Sequence, residues 1–515
     1  MIVQIILDRP HSHYTNLDII SGRIQLRTTT NASVSSIVVK LEGESRTRLL
    51  PPPKQNGGDR QKYELEVHKL LYKVNTVFPP ANVKDSVQQG SSFTLQAGQH
   101  EYPFEFKFPF NNSCSATNNL ANNINIVGMQ LELAKTPAYH VKKTLPPTLS
   151  GFPGEAEIKY YVKVTVNRPQ FYKENSRAYS VFPFLPIEPP RPSHPDGEVY
   201  ARQKHQFQLL QPALTPPGGP RKESFFKSLL SKTPSSQSTP GTPSSPTTPD
   251  GPQPSTPASP TPAEPPRFSI DARLPNPAIL TRGEPLPLRL VATQLSPASS
   301  RRGAPLFMQI LHVELIGYTD VRAHGIRRRE SSSWVLVSLS NMGVALGDAS
   351  SPAAAAAGAE TVVPDRWWAD RRVPATVAPS FETCNLARCY DLEVRVGLGF
   401  GSRERGKDQL VVLPLRLPVQ VLSGIAPPPA LLKAMEHAGT LRPAAPPMPP
   451  RPSATSASGL PAQSAAGYED APPSYEDAIA EELPPVDGPR RDYESPASGQ
   501  GGMDEGGLGF GREKG

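Results

Sequence analysis

The sequence predicts an all-β protein, built as two antiparallel β-sandwiches joined by a disordered linker and followed by a disordered tail. Three observations predict it. Apolar side chains recur at every second position, as strands with one buried face require. Clusters of Gly, Asn and Asp punctuate these runs at turn-like intervals. The runs also fall into two blocks, separated by a segment of quite different composition. Proline and glycine, 63 and 38 of the 515 residues, are far above ordinary usage, so long stretches cannot be regular structure. The hydrophobic fraction of 37% still leaves room for two cores of ordinary domain size.

In the first block, residues 1–186, Ile24 and Leu26 alternate with Arg23, Gln25 and Arg27. Tyr102, Phe104, Phe106 and Phe108 alternate with Pro103, Glu105, Lys107 and Pro109, and the two prolines mark an edge strand or a bulge. Ile158, Tyr160, Val162, Val164 and Val166 form a third run. Gly57-Gly58-Asp59, Ala97-Gly98-Gln99 and Asn111-Asn112-Ser113 supply turns. The second block, 267–424, repeats the pattern at Leu392 to Leu398 and at Leu413 to Val421, and the Ala-rich 349–360 and charged 365–372 stretches read as an inserted loop. Residues 187–266 form the linker. From Gln211 to Pro266 it holds 16 Pro and 18 Ser or Thr, too little apolar surface to offset the entropy of ordering. Residues 425–515 form the tail, with 7 basic and 13 acidic side chains against 21 basic and 14 acidic in 1–186. That asymmetry suggests an acidic tail lying on a basic first block.

Composition also excludes several classes. No apolar run is long enough for a spanning helix, and the start, Met1 to Leu7, lacks the basic lead and cleavage site of a signal peptide. Cys114, Cys384 and Cys389 cannot build a disulfide framework and suit a reducing compartment, so a cytoplasmic protein is expected. Scattered basic residues without an aromatic-plus-basic motif argue against nucleic acid. No nucleophile elbow, phosphate loop or zinc-protease motif is present, and Cys384 with Cys389 lacks the ligand count for structural zinc, so neither enzyme, cofactor nor metal is expected.

Several longer runs together resemble a known family. SGRIQL (Ser21 to Leu26), LQAGQHEYPFEFKFP (Leu95 to Pro109) and IKYYVKVTVNRP (Ile158 to Pro169) look like an amino-terminal arrestin domain. LPNPAILTRGEPLPLRL (Leu274 to Leu290) and VVLPLRLPVQVL (Val411 to Leu422) look like the carboxy-terminal one. With the tail motif below, the chain resembles the fungal alpha-arrestins, or arrestin-related trafficking adaptors. The resemblance implies the arrestin fold, two immunoglobulin-like sandwiches end to end with no active site.

The tail motif is Pro472-Pro473-Ser474-Tyr475, a PPxY sequence. The proline pair favours polyproline II before binding, so Pro472, Pro473 and Tyr475 suit the two aromatic pockets of a WW domain. Glu476 to Ala478 would begin a short helix behind it. In the family this motif recruits HECT-type ubiquitin ligases to plasma-membrane transporters or receptors, which are then ubiquitinated and endocytosed. The resemblance thus implies a WW-domain ligase and a membrane cargo as partners, with recruitment to plasma membrane or endosomes. Two other roles stay open: a signalling scaffold, for example in ambient-pH sensing, and a retromer-like coat subunit.

Further features are candidate regulatory sites. Phe225, Phe226, Leu229 and Leu230 share one helical face ringed by basic residues, suited to an anionic membrane surface. Nine Ser-Pro or Thr-Pro pairs in the linker, among them Thr239, Thr242, Ser245, Thr248 and Ser259, suit proline-directed kinases. Lys407 and Lys433 are candidate ubiquitin acceptors, since only Lys514 otherwise follows residue 267.

Overall fold

The computed structural model describes residues 1–9, 13–52, 62–80, 92–114, 139–152, 155–170, 174–192, 197–208, 264–301, 304–346, 356–401, 409–433 and 475–486. Ten strands make the first sandwich. They are β1 (Ile2–Leu7), β2 (Ile19–Thr28), β3 (Ala32–Val34), β4 (Ser36–Leu49) and β5 (Glu64–Phe78), then β6 (Phe93–Leu95), β7 (Gly98–Lys107), β8 (Leu149–Phe152), β9 (Ala156–Asn167) and β10 (Ser176–Phe182). One sheet has the order β1-β2-β7 and the other β10-β9-β4-β5, with β8 added to β9 and a small β3-β6 pair beside them. Alternation fixes which face is inside: Ile158, Tyr160, Val162, Val164 and Val166 of β9 are buried and interleave with less buried positions. Pro103 lies on β7, an outer strand, where its missing N–H costs no ladder bond. Beside a bulge in the β4–β5 register, position 43 is a glycine, where a Cβ would lie 2.6 Å from the Tyr160 ring.

The second sandwich contains β11 (Glu198–Gln206), β12 (Arg267–Pro275), β13 (Ile279–Thr281), β14 (Arg289–Gln294) and β15 (Leu306–Ala323). It continues with β16 (Ile326–Ala345), β17 (Glu360–Val362), β18 (Phe381–Glu382), β19 (Leu386–Phe400) and β20 (Gln409–Leu422). Its sheets are β11-β12-β14-β17 and β13-β20-β19-β15-β16, with β18 on β19. The short β13 runs parallel to β20. The predicted all-β class is what the structure has.

Three expectations need correction. The linker 187–266 is not disordered throughout, because β11 lies within it and pairs along its length with β12. Arg202, directly opposite Asp271, makes a two-pronged ion pair with it (2.7 Å and 2.7 Å), and Arg273 adds a bond of 2.8 Å to the same buried carboxylate. Nor is 365–372 a plain loop. Trp368 is buried in the core and its indole N–H donates to the Leu288 carbonyl at 2.7 Å, while β17 pairs with β14. Finally, parts of the tail pack on the first sandwich. Residues 429–433 are helical, and a second helix, α1, spans Tyr475–Glu482. Leu431 and Ala480 are buried against Leu17, Phe110 and Ile187.

Candidate functional site

Two places bring distant residues together: the dock of α1, and the seam between the sandwiches. At the dock, Lys107 at the end of β7 donates from Nζ to the carbonyl oxygens of Glu481 (2.6 Å) and Leu483. These are carbonyls at the C-terminal end of the helix, where a cation meets the unsatisfied acceptors and the negative end of the dipole. Burial pushes the Lys73 and Lys107 ammonium groups down, and the nearby Glu481 carboxylate opposes this in both. The acidic helix therefore rests on a basic patch of the first sandwich, the complementarity its charge suggested.

The seam is polar at its centre and apolar around it. Val321, Ala323, Ala378 and Leu386 of the second sandwich join the core of the first. The Ser45 hydroxyl donates to Asn385 Oδ1 (2.6 Å), and Asn385 Nδ2 donates to Thr47 Oγ1 (3.1 Å) and the Ser45 carbonyl (3.3 Å). Glu66 and His68, two apart on β5, share the face that meets the second sandwich. Glu66 accepts from the His68 ring at Nε2 (2.7 Å), from Arg322 Nη2 (2.8 Å) and from the His324 backbone N–H. Burial opposes ionisation of Glu66, yet these three donors hold its carboxyl below the usual range.

With Nε2 engaged by Glu66, the other His68 nitrogen, Nδ1, lies 3.3 Å from Cys114 Sγ. Cys114 Sγ is also 3.3 Å from His140 Nδ1 and 3.6 Å from Cys384 Sγ. The backbone explains the convergence. Ser113 N–H donates to the Leu70 carbonyl on β5 (2.8 Å), and Asn112 bonds through its backbone N–H to Lys143 and through Nδ2 to Val141. Cys384 stands in the tight turn between β18 and β19, where Thr383 and Leu386 bond each other. The Val141 N–H donates to Cys384 Sγ (3.1 Å). A bond from Cys114, acting against burial, together with His68 brings the Cys384 thiol down to about 4. Among the described residues, this is the one group of His, Cys, Asp and Glu whose ligand atoms gather closely enough to hold a metal ion. Cys389, by contrast, is exposed on β19 and apart from it.

The residues singled out in the sequence fare differently. Tyr475 is the first residue of α1, consistent in place with the short helix expected behind the motif, while Pro472 and Pro473 lie outside the described residues. Phe225, Phe226, Leu229, Leu230, Thr239, Thr242, Ser245, Thr248, Ser259 and Lys407 also lie outside them. Lys433 is exposed at the end of the helical run 429–433. Sequence reasoning missed the His68–Cys114–His140–Cys384 group because its members are dispersed along the chain and only strand pairing gathers them.

Residues 3–187 match the family model described as arrestin (or S-antigen), N-terminal domain. That match covers the first sandwich. The chain carries an arrestin N-terminal domain and is similar to arrestin-related trafficking adapters. Its sandwiches are accordingly the arrestin fold. One relative, arrestin-related trafficking adapter 10 of Lachancea thermotolerans, is 28% identical over 121 residues, covering 22% of this chain and 28% of the relative. The protein of the same name from Candida glabrata is 33% identical over 125 residues, covering 22% of this chain and 24% of the relative. The chain thus spans about a quarter of the length of the curated relatives it matches. No described helix is long and apolar enough to cross a membrane.

Proposed function

We propose that this chain is an alpha-arrestin that serves as a trafficking adaptor. In this reading the sandwiches hold the cytosolic part of a membrane transporter or receptor, and Pro472, Pro473 and Tyr475 recruit a WW-domain ubiquitin ligase of the HECT type. The ligase then ubiquitinates the cargo, and Lys407 and Lys433 of the adaptor, which marks the cargo for endocytosis. The protein works from the cytoplasm, recruited peripherally to plasma membrane or endosomes. The basic, apolar segment at Phe225 to Leu230 adds a weak contact with anionic lipid, and phosphorylation at Thr239, Thr242, Ser245, Thr248 and Ser259 regulates the linker.

The observation that carries the reading is the position of the PPxY motif. Its tyrosine, Tyr475, opens a helix anchored on an arrestin N-terminal domain, so a ligase bound there stays close to whatever the sandwiches hold. Tethering of this kind converts a second weak encounter into an intramolecular one and raises its effective concentration. A proline pair favours polyproline II in general, and a peptide so biased needs little ordering on binding, which suits a short motif.

Capture of the full chain on immobilised WW domains tests this. Tyr475→Ala should weaken capture roughly thirtyfold, the loss of a hot-spot side chain worth about 2 kcal/mol, with the thermal melt of both sandwiches unchanged. Equal capture of the variant would refute the assignment of the motif.

A further inference from the structure

We propose that His68, Cys114, His140 and Cys384 form a structural zinc site that pins the second sandwich to the first. The donor set is two thiolates and two imidazoles, the set of closed four-coordinate zinc sites. Four ligands around zinc, with Zn–S near 2.3 Å and Zn–N near 2.0–2.1 Å, place sulfur about 3.8 Å from sulfur and sulfur about 3.6 Å from nitrogen. Here the sulfurs of Cys114 and Cys384 are 3.6 Å apart, and Cys114 Sγ is 3.3 Å from the Nδ1 atoms of both His68 and His140. All four ligand atoms lie within 4.8 Å of one another. The cage therefore already has close to the dimensions that zinc requires.

Its surroundings are also those of a metal site. A metal-bound imidazole usually donates its remote N–H to a carboxylate, which fixes the tautomer and strengthens the ligand. Glu66 does this for His68 at 2.7 Å, and Arg322 balances the Glu66 charge at 2.8 Å, so Glu66 is a supporting residue rather than a fifth ligand. The backbone N–H of Val141 steadies the Cys384 sulfur. His68, Cys114 and Cys384 are buried and His140 half-buried, so the site is closed, with no position for substrate. Two thiolates cancel the charge of one divalent cation, and a neutral complex can be buried without an unpaired charge. Two sulfurs are too few for an iron–sulfur cluster, and the absence of oxygen ligands disfavours magnesium and calcium. Binding forms two Zn–S and two Zn–N bonds, releases the two thiol protons to water and involves no redox change.

The arrangement has a mechanical meaning. His68, Cys114 and His140 come from the first sandwich and Cys384 from the second, so the ion spans the seam. A structural zinc contributes its binding energy to whatever its ligands hold together. Here that is the fixed angle between the sandwiches rather than the folding of either.

The test uses the full chain expressed with zinc in the medium and purified without chelator. Elemental analysis should find one zinc per chain. The double variant Cys114→Ser/Cys384→Ser should fall to background, while Cys389→Ser, which alters the exposed third cysteine, should retain one equivalent. Because the double variant could lose zinc by misfolding, the unmodified chain is also stripped and reloaded with cobalt(II). It should show the intense visible bands of tetrahedral cobalt and a thiolate charge-transfer band. Glu66→Gln, with all four ligands intact, should bind zinc 10–100-fold more weakly. A freshly purified chain with no stoichiometric zinc and no tetrahedral cobalt spectrum would overturn the proposal. So would a disulfide between Cys114 and Cys384 in its unreduced digest, since that bond would consume both sulfurs.

Discussion

Ala480→Asp should free helix α1 from the first sandwich. Ala480 is 2% exposed, with Leu17, Phe110, Ile187 and Leu431 around it. A carboxylate there would have no partner among those side chains, at a cost of several kcal/mol. The contact it disrupts is smaller. One buried alanine with the half-buried Leu483 and Val486 is worth on the order of 2–3 kcal/mol by apolar area. An isolated helix of eight residues is marginal in water, so its amide protection must come from docking. Hydrogen–deuterium exchange over residues 475–486 should therefore rise by roughly 30- to 150-fold in the variant, the equivalent of that contact energy. Ala478→Asp, on the exposed side of the helix, should leave the exchange rate where it was. Unchanged protection in Ala480→Asp would mean that α1 is held by something other than the Leu17–Phe110–Ile187 patch.

Other consequences are equally direct. Trp368→Ala removes a buried indole and its bond to the Leu288 carbonyl, and should cost the second sandwich about 3–5 kcal/mol, or roughly 10 °C in melting temperature; a shift of only a degree or two would return the 365–372 segment to the surface. Asp271→Asn should cost about 1–3 kcal/mol at neutral pH, discounted from a fully buried pair because Arg202 is partly exposed. Burial opposes ionisation of Asp271, but Arg202 and Arg273 hold its carboxyl below the usual range. The stabilisation is therefore fully present above the unfolded value near pH 4 and fades as pH falls through the folded one. Melting curves of wild type and variant should converge below about pH 4, and a gap of constant size would count against the pair as its source.

What was legible in the sequence is what period two encodes. β9, β19 and β20 carry long apolar alternations, and each buries the face that the alternation marks. The strand β11 was hidden because its inward face carries only Val199 and Ala201 before turning polar at Gln203 and His205, so the apolar period is too short to detect. It is defined by its partner, through the pairing of Arg202 with Asp271. Trp368 was hidden by its neighbours, since Asp365, Arg366, Asp370 and Arg371 give the segment the composition of a loop while one indole inserts beneath them. The helix behind Tyr475 could be suspected from its residues, but its docking centres on a small side chain, Ala480, which carries no sequence signal of burial, with Leu483, Val486 and Lys107 beside it. The seam cluster was furthest from reach. Cys384 stands nearest in sequence to Cys389, yet its neighbours in space are Cys114 and two histidines of the other sandwich.

The third apolar cluster joins Leu17, Phe110 and Ile187 to Leu431 and Ala480, segments far apart in the order of synthesis. A ribosome making this chain thus exposes an oily spot at Leu17, Phe110 and Ile187 and leaves it uncovered until Leu431 and Ala480 emerge. During that interval the spot is where a chaperone would grip, and where two nascent chains would stick to each other.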